Sequence, residues 1–339
     1  MPRPFQLMAG LRRVVDRPRL IEHARAAEST GYTHLCIHDH LEPQLAAIPM
    51  LTAAAMATER LRVCPLVLNN DLRHPAVLAQ DLATLDVISD GRLDVGIGAG
   101  WNEPEYKAIG LQFDPPGVRI DRMTEAIAIL RGLFAEGPFT FAGRHYTITD
   151  LDGQPKPVQR PHPPFIVGGT RERVLRLAAR EGDIVGLDLR QDRESLPDAW
   201  PRRMDTRVGW VRDEAGPRFG DLDLSVLRIV GPIAITPNAR EAAQRVADAY
   251  RTTTGLEIEP DDIIESPYSL IGTIPSLVDK LRRARDRWGI NSYLLGWHDE
   301  PELAQLAPLV EQLAGTYTSK TRWTSLSPAT SASMSSRVE

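Results

Sequence analysis

The chain has 339 residues and a formal net charge of −5, with 40 lysines and arginines against 45 acidic residues. This acidic balance argues against a partner that offers a nucleic-acid phosphate backbone. No stretch approaches the ~20 consecutive apolar residues of a membrane-spanning helix, and the first residues lack the apolar core of a signal peptide. We therefore expect a cytoplasmic protein with no nucleic-acid or membrane partner. The length fits either two domains or one large α/β barrel.

Four apolar, strand-like segments alternate with helical patterns in the first hundred residues. In the fourth segment, Leu93, Val95 and Ile97 recur at every second position, which is the period of a strand. Most of these strands are too apolar to face water on either side, so they predict a parallel sheet covered by helices. The predicted strands cover residues 5–10, 33–39, 62–69 and 93–99, and the predicted helices cover residues 18–30, 49–59 and 75–88.

The same alternation continues through the rest of the chain. Further strands are predicted at 164–167, 183–189, 224–235 and 292–295, and further helices at 118–134, 171–180, 204–212, 238–250, 274–288 and 301–313. Eight strands in alternation with helices favour a closed (β/α)8 TIM barrel over a doubly wound open sheet. The sequence therefore predicts one α/β barrel domain over residues 1–316.

Three segments break the alternation and are interpreted as insertions in the barrel. They lie near residues 135–162, 190–222 and 255–272, and the first has the pattern of a β-hairpin followed by a prolyl segment. We expect this hairpin to pass over the barrel mouth. The last residues, 317–339, are rich in serine and threonine without an apolar period, and this composition predicts a disordered tail.

The two cysteines, Cys36 and Cys64, both lie inside apolar strand-like segments. Buried, inert thiols are therefore expected, rather than a disulfide or a nucleophile. The cysteines and histidines show no spacing that is typical of a metal site. We expect no metal in this protein.

Functional groups of such barrels gather at the carboxyl ends of the strands. Two of the predicted ends are rich in glycine, and both lead towards helices: Gly98, Ala99, Gly100 and Trp101 after the fourth strand, and Gly168, Gly169 and Thr170 after the fifth. Glycine lets backbone amides approach a ligand, and a helix amino terminus favours an anion. Two such ends side by side predict one phosphorylated ligand. The alternative is an ordinary strand-to-helix turn at each position.

Asp39 and His40 form the only pair of acid and imidazole at a predicted strand end. A histidine titrates near neutral pH and can act as an acid or a base. Three alternatives stay open at these ends: Asp39 could cap a turn, His40 could lie in a solvated loop, and Asn69 could serve only as a turn former. Trp101 could be lid packing, and Glu105 is expected to bind a loop amide rather than to take part in catalysis.

Four segments carry a resemblance to the bacterial luciferase-like oxidoreductases: GYTHLCIHDHL, RHPAVLAQDLATLDVISDGRLDVGIGAGWNEPEYKAIG, PPFIVGGTRERVLRLAAREGDIVGL and SLIGTIPSLVDKLRRARDRWGINSYLLG. The resemblance covers roughly residues 5–313. It implies a (β/α)8 barrel that binds FMN or the deazaflavin coenzyme F420 at the mouth. It also implies a non-prolyl cis peptide in the third strand, near Leu66.

The pair Asp39-His40 resembles the F420-dependent branch of that family. By this resemblance, His40 would donate or accept a proton during hydride transfer, and Asp39 would orient it. Asn69 would contact the cofactor ring or its tail, and the two glycine-rich ends would hold its phosphate. One departure concerns Trp101, which occupies the position where the sugar-phosphate dehydrogenases of the branch carry a glutamate. This departure argues against the sugar-phosphate reaction and its glutamate acid, but not against the cofactor. The resemblance therefore predicts an F420-dependent oxidoreductase that transfers a hydride to or from a small organic substrate.

Two alternatives to this function remain open at the level of sequence. One is an FMN-dependent monooxygenase of the same family that uses oxygen, and the other is a barrel that has lost catalysis and serves as a subunit. The family resemblance also implies a homodimer formed through barrel helices. Whether the enzyme is an F420-dependent oxidoreductase or an FMN-dependent monooxygenase, the insertions would form the walls of the substrate pocket.

Overall fold

A computed structural model describes residues 3–188, 200–227, 233–255, 257–297 and 300–314 of the protein. Several sequence predictions fall partly or wholly elsewhere. The predicted tail, 317–339, lies outside the described residues, as do residue 189 at the end of the sixth predicted strand, 190–199 in the second predicted insertion and 228–232 in the seventh predicted strand.

The strands follow the predicted order closely. They are β1 (Gln6–Leu11), β2 (His34–Ile37), β3 (Arg62–Pro65), β4 (Leu68–Asn69), β5 (Val95–Gly98), β6 (Phe139–Ala142), β7 (Thr147–Leu151), β8 (Phe165–Gly169), β9 (Ile184–Leu187), β10 (Asp223–Val226), β11 (Ala234–Ile235), β12 (Ile271–Gly272) and β13 (Ile290–Trp297).

The helices that alternate with these strands were also largely predicted. They are α1 (Arg17–Thr30), α2 (Ala47–Ala57), α3 (Pro75–Ile88), α4 (Glu103–Ala108), α5 (Pro116–Phe134), α6 (Glu172–Glu181), α7 (Trp200–Ala215), α8 (Ala239–Thr254), α9 (Pro260–Glu265), α10 (Ile274–Trp288), α11 (Glu300–Gln305) and α12 (Ala307–Ala314).

Within the described residues, nine parallel strands form one sheet in the order β3-β2-β1-β13-β10-β9-β8-β5-β4. The two edges of this sheet meet, because β4 pairs with β5 and a parallel bridge joins Val63 of β3 to Leu93, just before β5. β3 and β4 are two parts of one barrel strand, separated by a cis peptide bond between Leu66 and Val67. The predicted TIM barrel and the predicted cis peptide are both confirmed.

Buried side chains on both sides of the strands explain why these segments are so apolar. The inside of the barrel is packed by one set of side chains: Met8, Cys36, Cys64, Leu66, Ile166, Ile184 and Leu294. A larger core lies between the strands and the surrounding helices. Cys36 and Cys64 are neighbours in register on β2 and β3, and both are buried free thiols as predicted.

Three sequence predictions about this architecture were wrong. β10 ends at Val226, and the residues predicted to extend it, Ala234 and Ile235, form a separate parallel pair with β12. The third predicted insertion, 255–272, for which no helix was predicted, contains the helix α9. The short helix α4 after β5 was not predicted, because its six residues carry no apolar period.

The hairpin β6–β7 packs along α5, and Tyr146 extends from it towards the barrel mouth. Glu125 of α5 accepts hydrogen bonds from the backbone amides of the hairpin turn, at 2.8 Å from Arg144 and 2.9 Å from His145. Phe139 packs directly against Gly132 of the same helix. Tyr146 reaches the end of β4, where its hydroxyl accepts a hydrogen bond from Asn70 at 3.4 Å and its ring meets that of His74 edge-on.

None of the helices in the described part of the chain is long and apolar enough to cross a membrane.

Candidate active site

The candidate residues lie at the carboxyl ends of β2, β4, β5 and β8, which are neighbours around the barrel. We call the region formed by residues 38–41, 69–71, 98–102 and 168–171 the mouth. The register between β5 and β8 pairs Ile97 with Val167, so the two glycine-rich ends that follow are adjacent. Parallel strands in a barrel end at the same edge. The structure therefore brings the predicted residues of four separate segments to one opening.

His40 is held in the mouth by Glu105, which lies in α4. The Nδ1 atom of His40 is 2.9 Å from Oε1 and 3.0 Å from Oε2 of Glu105. The same carboxylate accepts a hydrogen bond from the backbone amide of Leu41 at 3.1 Å. The expected contact of Glu105 with a loop amide is thus present, and the contact with His40 is an additional one that the sequence did not indicate.

This arrangement determines which nitrogen of His40 is available for chemistry. A carboxylate only accepts hydrogen bonds, so Glu105 keeps a proton on Nδ1 of His40. The other ring nitrogen, Nε2, has no hydrogen-bond partner among the described residues. The side chain of His40 is 24% exposed, so Nε2 is accessible to a ligand. An imidazole fixed in this way can accept or donate a proton at Nε2.

Two aromatic rings border His40 in the mouth. Trp101 meets the imidazole edge-on, with ring centroids 5.5 Å apart and an angle of 80° between the planes. Trp101 is 69% exposed, so it forms one side of the opening rather than part of the core. The ring of His38 lies 5.2 Å from that of His40. Burial lowers the pKa of His38, although its hydrogen bond to Glu42 acts in the opposite direction.

Asp39 does not orient His40, which corrects the role suggested by the resemblance. Its carboxylate accepts hydrogen bonds from both terminal nitrogens of Arg73, at 2.6 and 3.0 Å, and from the backbone amide of Asn69 at 3.1 Å. Asp39 is buried, and its hydrogen bonds raise the pKa of Arg73 above the ordinary value. Asp39 therefore joins the end of β2 to the end of β4, and the acidic partner of His40 is Glu105 instead.

Asn69 lies directly beneath the backbone of Gly100. The Oδ1 atom of Asn69 is 2.9 Å from the hydroxyl of Tyr106 and accepts a hydrogen bond from the amide of Asp71 at 3.1 Å. A Cβ atom on Gly100 would lie 2.0 Å from the Tyr106 hydroxyl and 2.6 Å from Oδ1 of Asn69, and the φ of Gly100 is +74°. Only glycine meets both conditions. Packing thus holds the turn at Gly100 over Asn69.

Close packing explains other glycines of the two glycine-rich ends as well. A Cβ on Gly98 would lie 2.6 Å from a methyl group of Val67, and a Cβ on Gly168 would lie 2.6 Å from the carbonyl oxygen of Gly186. These two glycines let neighbouring strands approach each other. Their presence alone is therefore weaker support for a phosphate site than the sequence suggested.

The two glycine-rich ends also differ in the helix that follows each of them. α6 after Thr170 has ten residues, and the side chain of its N-cap residue, Arg171, makes no capping hydrogen bond to the first turn. Its first-turn amides can therefore accept an anion. α4 after Trp101 has six residues and likewise lacks a side-chain cap, and it carries two acids in its first turn, Glu103 and Glu105, whereas α6 carries one, Glu172. An acidic side chain in the first turn repels an anion. Of the two helix amino termini, that of α6 is therefore on the longer helix and carries fewer acidic residues.

Sequence reasoning missed several residues that build the site: Arg73, Tyr106 and Arg119, together with the role of Glu105. Arg119 of α5 donates a hydrogen bond to the carbonyl oxygen of Gly100 and is almost fully buried. Glu105 lies 65 residues from His40 along the chain. No local pattern in the sequence marks such a contact. The described residues include no group of three or more acidic, histidine or cysteine side chains arranged to hold a metal.

Comparison with known proteins gives a consistent result. A family profile described as luciferase-like monooxygenase matches residues 5–288. The chain is 36% identical over 131 residues to an FMNH2-dependent dimethylsulfone monooxygenase of Pseudomonas putida, which is 39% of this chain and only 36% of that relative. It is 29% identical over 261 residues to an F420-dependent glucose-6-phosphate dehydrogenase of Microbacterium testaceum, covering 71% of this chain and 76% of that relative.

Among solved structures, the chain resembles the coenzyme F420-dependent tetrahydromethanopterin reductase from Methanopyrus kandleri. The TM-score is 0.71 at 18% identity, over 92% of this chain and all of that one. A second similar structure is an F420-dependent secondary alcohol dehydrogenase in complex with an F420-acetone adduct, with a TM-score of 0.68 at 20% identity over 92% of this chain and 98% of that one. At this level of identity the likeness shows a shared fold.

Proposed function

The chain belongs to the luciferase-like monooxygenase family, and we propose that it is an oxidoreductase that uses coenzyme F420. The proposed reaction is transfer of a hydride between the deazaflavin and a carbon of a small organic substrate. The observation that carries this proposal is the imidazole of His40, which Glu105 fixes at Nδ1 while Nε2 stays open at the carboxyl ends of the strands. Relatives that use F420 support the choice of cofactor.

The residues at the mouth fit such a cofactor. The uncapped first turn of α6, after Gly168, Gly169 and Thr170, would hold a phosphate group. The backbone of Gly98, Ala99 and Gly100 and the side chain of Asn69 would line the ring. Trp101, which is mostly exposed beside His40, offers an apolar wall for a flat ring.

The bound deazaflavin would supply a carbon that gives or takes the hydride. The role of His40 is to move the accompanying proton at Nε2, to or from an oxygen of the substrate. Glu105 is a positioning residue, because it keeps the proton on Nδ1 and stabilises the imidazolium when His40 becomes charged. Asp39 acts at greater distance by fixing the end of β4, and so the position of Asn69.

A titration with the two candidate cofactors tests this proposal. The purified protein is titrated with F420 and with FMN, oxidised and reduced, while cofactor fluorescence and oxygen consumption are recorded. We expect saturable binding of F420 without oxygen uptake. Tight binding of FMN alone, with oxygen uptake in the reduced state, would overturn the F420 proposal.

An FMN-dependent monooxygenase is the second candidate function. It is favoured by the 36% identity with the FMNH2-dependent dimethylsulfone monooxygenase, although that alignment covers little more than a third of either chain. The open Nε2 of His40 would then act on an oxygenated substrate rather than in hydride transfer. Binding of neither cofactor would support the non-catalytic subunit instead.

We also propose that the protein is a homodimer formed through α2 and α3. These helices expose large apolar side chains to solvent, including Met56 at 69%, Val77 at 58% and Val87 at 45%. α2 and α3 contact each other, so their exposed apolar side chains lie on neighbouring helices, and an apolar surface shared by two helices suits association. Light scattering behind a sizing column tests the proposal: we expect twice the mass of one chain, reduced to one chain by Met56→Glu with Val77→Glu.

A cytoplasmic location likewise remains a proposal, in keeping with the buried, unpaired Cys36 and Cys64.

A further inference from the structure

Two consecutive arginines lie beside the mouth, at the carboxyl end of β1. Leu11 ends β1 and pairs in register with Ile37 of β2, so the next residue, Arg12, is level with His38. Met8 points into the barrel interior, and alternation along the strand assigns Arg12 to the same inward face. Both Arg12 and Arg13 are exposed. Both side chains therefore reach solvent at the carboxyl end of β1, with Arg12 level with His38.

The positive charge of Arg12 acts on the side chains that follow β2, although Arg12 forms no direct ion pair among the described residues. Burial alone would raise the pKa of Glu42, but its hydrogen bond with His38 and the charges of His38 and Arg12 outweigh this and lower it. Oε1 of Glu42 is bonded to Nε2 of His38. Within the described residues, neither Arg12 nor Arg13 forms an ion pair with a carboxylate. Their donors stay available for a ligand.

Arg13 has an unusual backbone conformation for its residue type. Its φ is +57°, in the left-handed region that residues other than glycine rarely adopt. Such conformations are maintained by their surroundings and occur preferentially at functional sites. The turn at Arg13 redirects the chain into the loop before α1, where the carbonyl of Val14 accepts a hydrogen bond from the amide of Leu45 at 2.9 Å. The loops after β1 and β2 are thus joined at this edge.

Apolar side chains border the same opening. Leu41 is 56% exposed and follows His40 directly, while Trp101 packs edge-on against the imidazole of His40. Leu45, joined to the loop after β1, is 37% exposed. Exposed apolar groups close to polar anchors are characteristic of ligand sites. This edge of the barrel therefore combines two exposed arginines with exposed apolar side chains, of which Leu41 and Trp101 adjoin His40.

We propose that the substrate is an amphipathic anion, whose carboxylate, sulfonate or phosphate group binds Arg12 and Arg13 while its apolar body packs against Leu41 and Trp101. Arginine binds such groups through two parallel hydrogen bonds, which fixes orientation as well as position. The assignment rests on the proposed function insofar as the bound molecule presents its reacting carbon to the cofactor beside His40.

The test compares two probes with the same eight-carbon skeleton, octanoate with an anionic head group and 1-octanol with a neutral one. Their binding to cofactor-free protein is measured by calorimetry and by quenching of tryptophan fluorescence. We expect octanoate to bind at least about tenfold more tightly, as charge-assisted hydrogen bonds permit. Arg12→Gln removes this preference and Arg12→Lys keeps part of it. Arg13→Gly, which suits the left-handed backbone, weakens the preference. Arg60→Gln, exposed at the opposite end of the barrel before β3, leaves it unchanged.

Three results would overturn the proposal: equal affinity for the two probes, no binding of either, or an unchanged preference in folded Arg12→Gln. The same variants are also titrated with F420 and with FMN. Weaker cofactor binding in Arg12→Gln with an intact octanoate preference would assign the arginines to an acidic part of the cofactor, and this too would overturn the proposal. Because the probe assay contains no cofactor, a protein that binds no cofactor would contradict the proposed function and leave this result standing.

Discussion

His34 begins β2 and His40 follows its carboxyl end, and the two histidines differ in exposure and in hydrogen bonding. At the amino end, His34 is 1% exposed, with Nδ1 2.8 Å from the hydroxyl of Thr33 and Nε2 2.8 Å from Asp94. At the carboxyl end, His40 is 24% exposed and has a partner at only one ring nitrogen. Buried polar groups with complete hydrogen bonding stabilise a fold, and an accessible unpaired nitrogen is available for chemistry.

Asp94 links His34 to a larger hydrogen-bond network of buried polar side chains at the amino end of the barrel. Arg62 donates hydrogen bonds to Asp94, to the carbonyl of Leu93 at 2.9 Å and to Gln159 at 3.1 Å. Gln159 in turn donates to Asp86 at 2.7 Å. Five side chains thus join β2, β3, the residue before β5, α3 and the segment before β8 at the amino end. We expect mutations here to change stability and mutations at the mouth to change binding and turnover.

The largest effect is expected for Asp94→Ala. It leaves the guanidinium of Arg62 and the ring of His34 buried without their common acceptor, so we expect the free energy of unfolding to fall by about 3–5 kcal/mol. Urea unfolding measures this change, and cofactor affinity of the folded fraction should not move. Asp121→Ala, which breaks the exposed ion pair with Arg173, is the control and should cost less than about 1 kcal/mol. A similar small loss for both variants would contradict the assigned role of the amino end.

Lowering the pH should weaken the hydrogen-bond network around Asp94. Burial alone would raise the pKa of Asp94, but the charges and hydrogen bonds of Arg62 and His34 outweigh it and lower the pKa to about 2. A depressed carboxylate pKa gives stability that is present above the unfolded value near 3.8 and is lost as pH falls towards 2. We expect a loss of about 2 kcal/mol from this group over that range. Unfolding at pH 6, 4 and 3 should show a smaller decline in Asp94→Asn than in the wild type.

At the mouth, Gly100→Ala should affect both stability and cofactor binding. Its Cβ would collide with the hydroxyl of Tyr106 and with Asn69, and its φ of +74° disfavours any side chain. Gly110→Ala is a matched control, because Gly110 has a φ of +72° and open space around its Cβ position. Both variants carry a backbone penalty of about 1 kcal/mol, so only Gly100→Ala should also weaken cofactor binding. Equal cofactor affinities in the two variants would show that Gly100 does not contribute to the cofactor site.

The smallest effect in this series is expected for Glu105→Gln. An amide can still accept the hydrogen bond from Leu41, but it stabilises an imidazolium less than a carboxylate does, so turnover should fall by roughly tenfold. The control is Glu103→Gln, an exposed acid two residues earlier on α4. A role limited to the loop amide would leave both the turnover and its pH profile unchanged. Glu105→Asp should restore part of the activity.

Much of the barrel could be predicted from sequence, because parallel strands covered on both sides appear as apolar segments separated by helical periods. The same reasoning failed where local patterns are weak. The short helix α4 carries Glu105 but has no apolar stripe, and β10 and β11 appeared as one strand because both are apolar. The strand ends that carry Asp39, His40, Asn69 and the glycines followed from the rule that strand ends hold the functional groups.

The partners of those residues could not be predicted. Asp39 precedes His40 directly, but its side chain binds Arg73, and the partner of His40 is Glu105 at 65 residues' distance. Successive residues leave a strand in opposite directions, which separates neighbours in sequence and brings distant residues together. The glycines show the same limit, since Gly98 and Gly168 are explained by close strand packing that only the fold reveals.

The most direct test of the account is replacement of His40 by alanine, with turnover and cofactor dissociation constant measured on the same preparation. If the open Nε2 of His40 moves the proton, turnover should fall by at least about a hundredfold, while the dissociation constant and the free energy of unfolding stay close to wild type. Unchanged turnover would contradict the account, because it would leave the carboxyl end of β2 without its assigned chemical group.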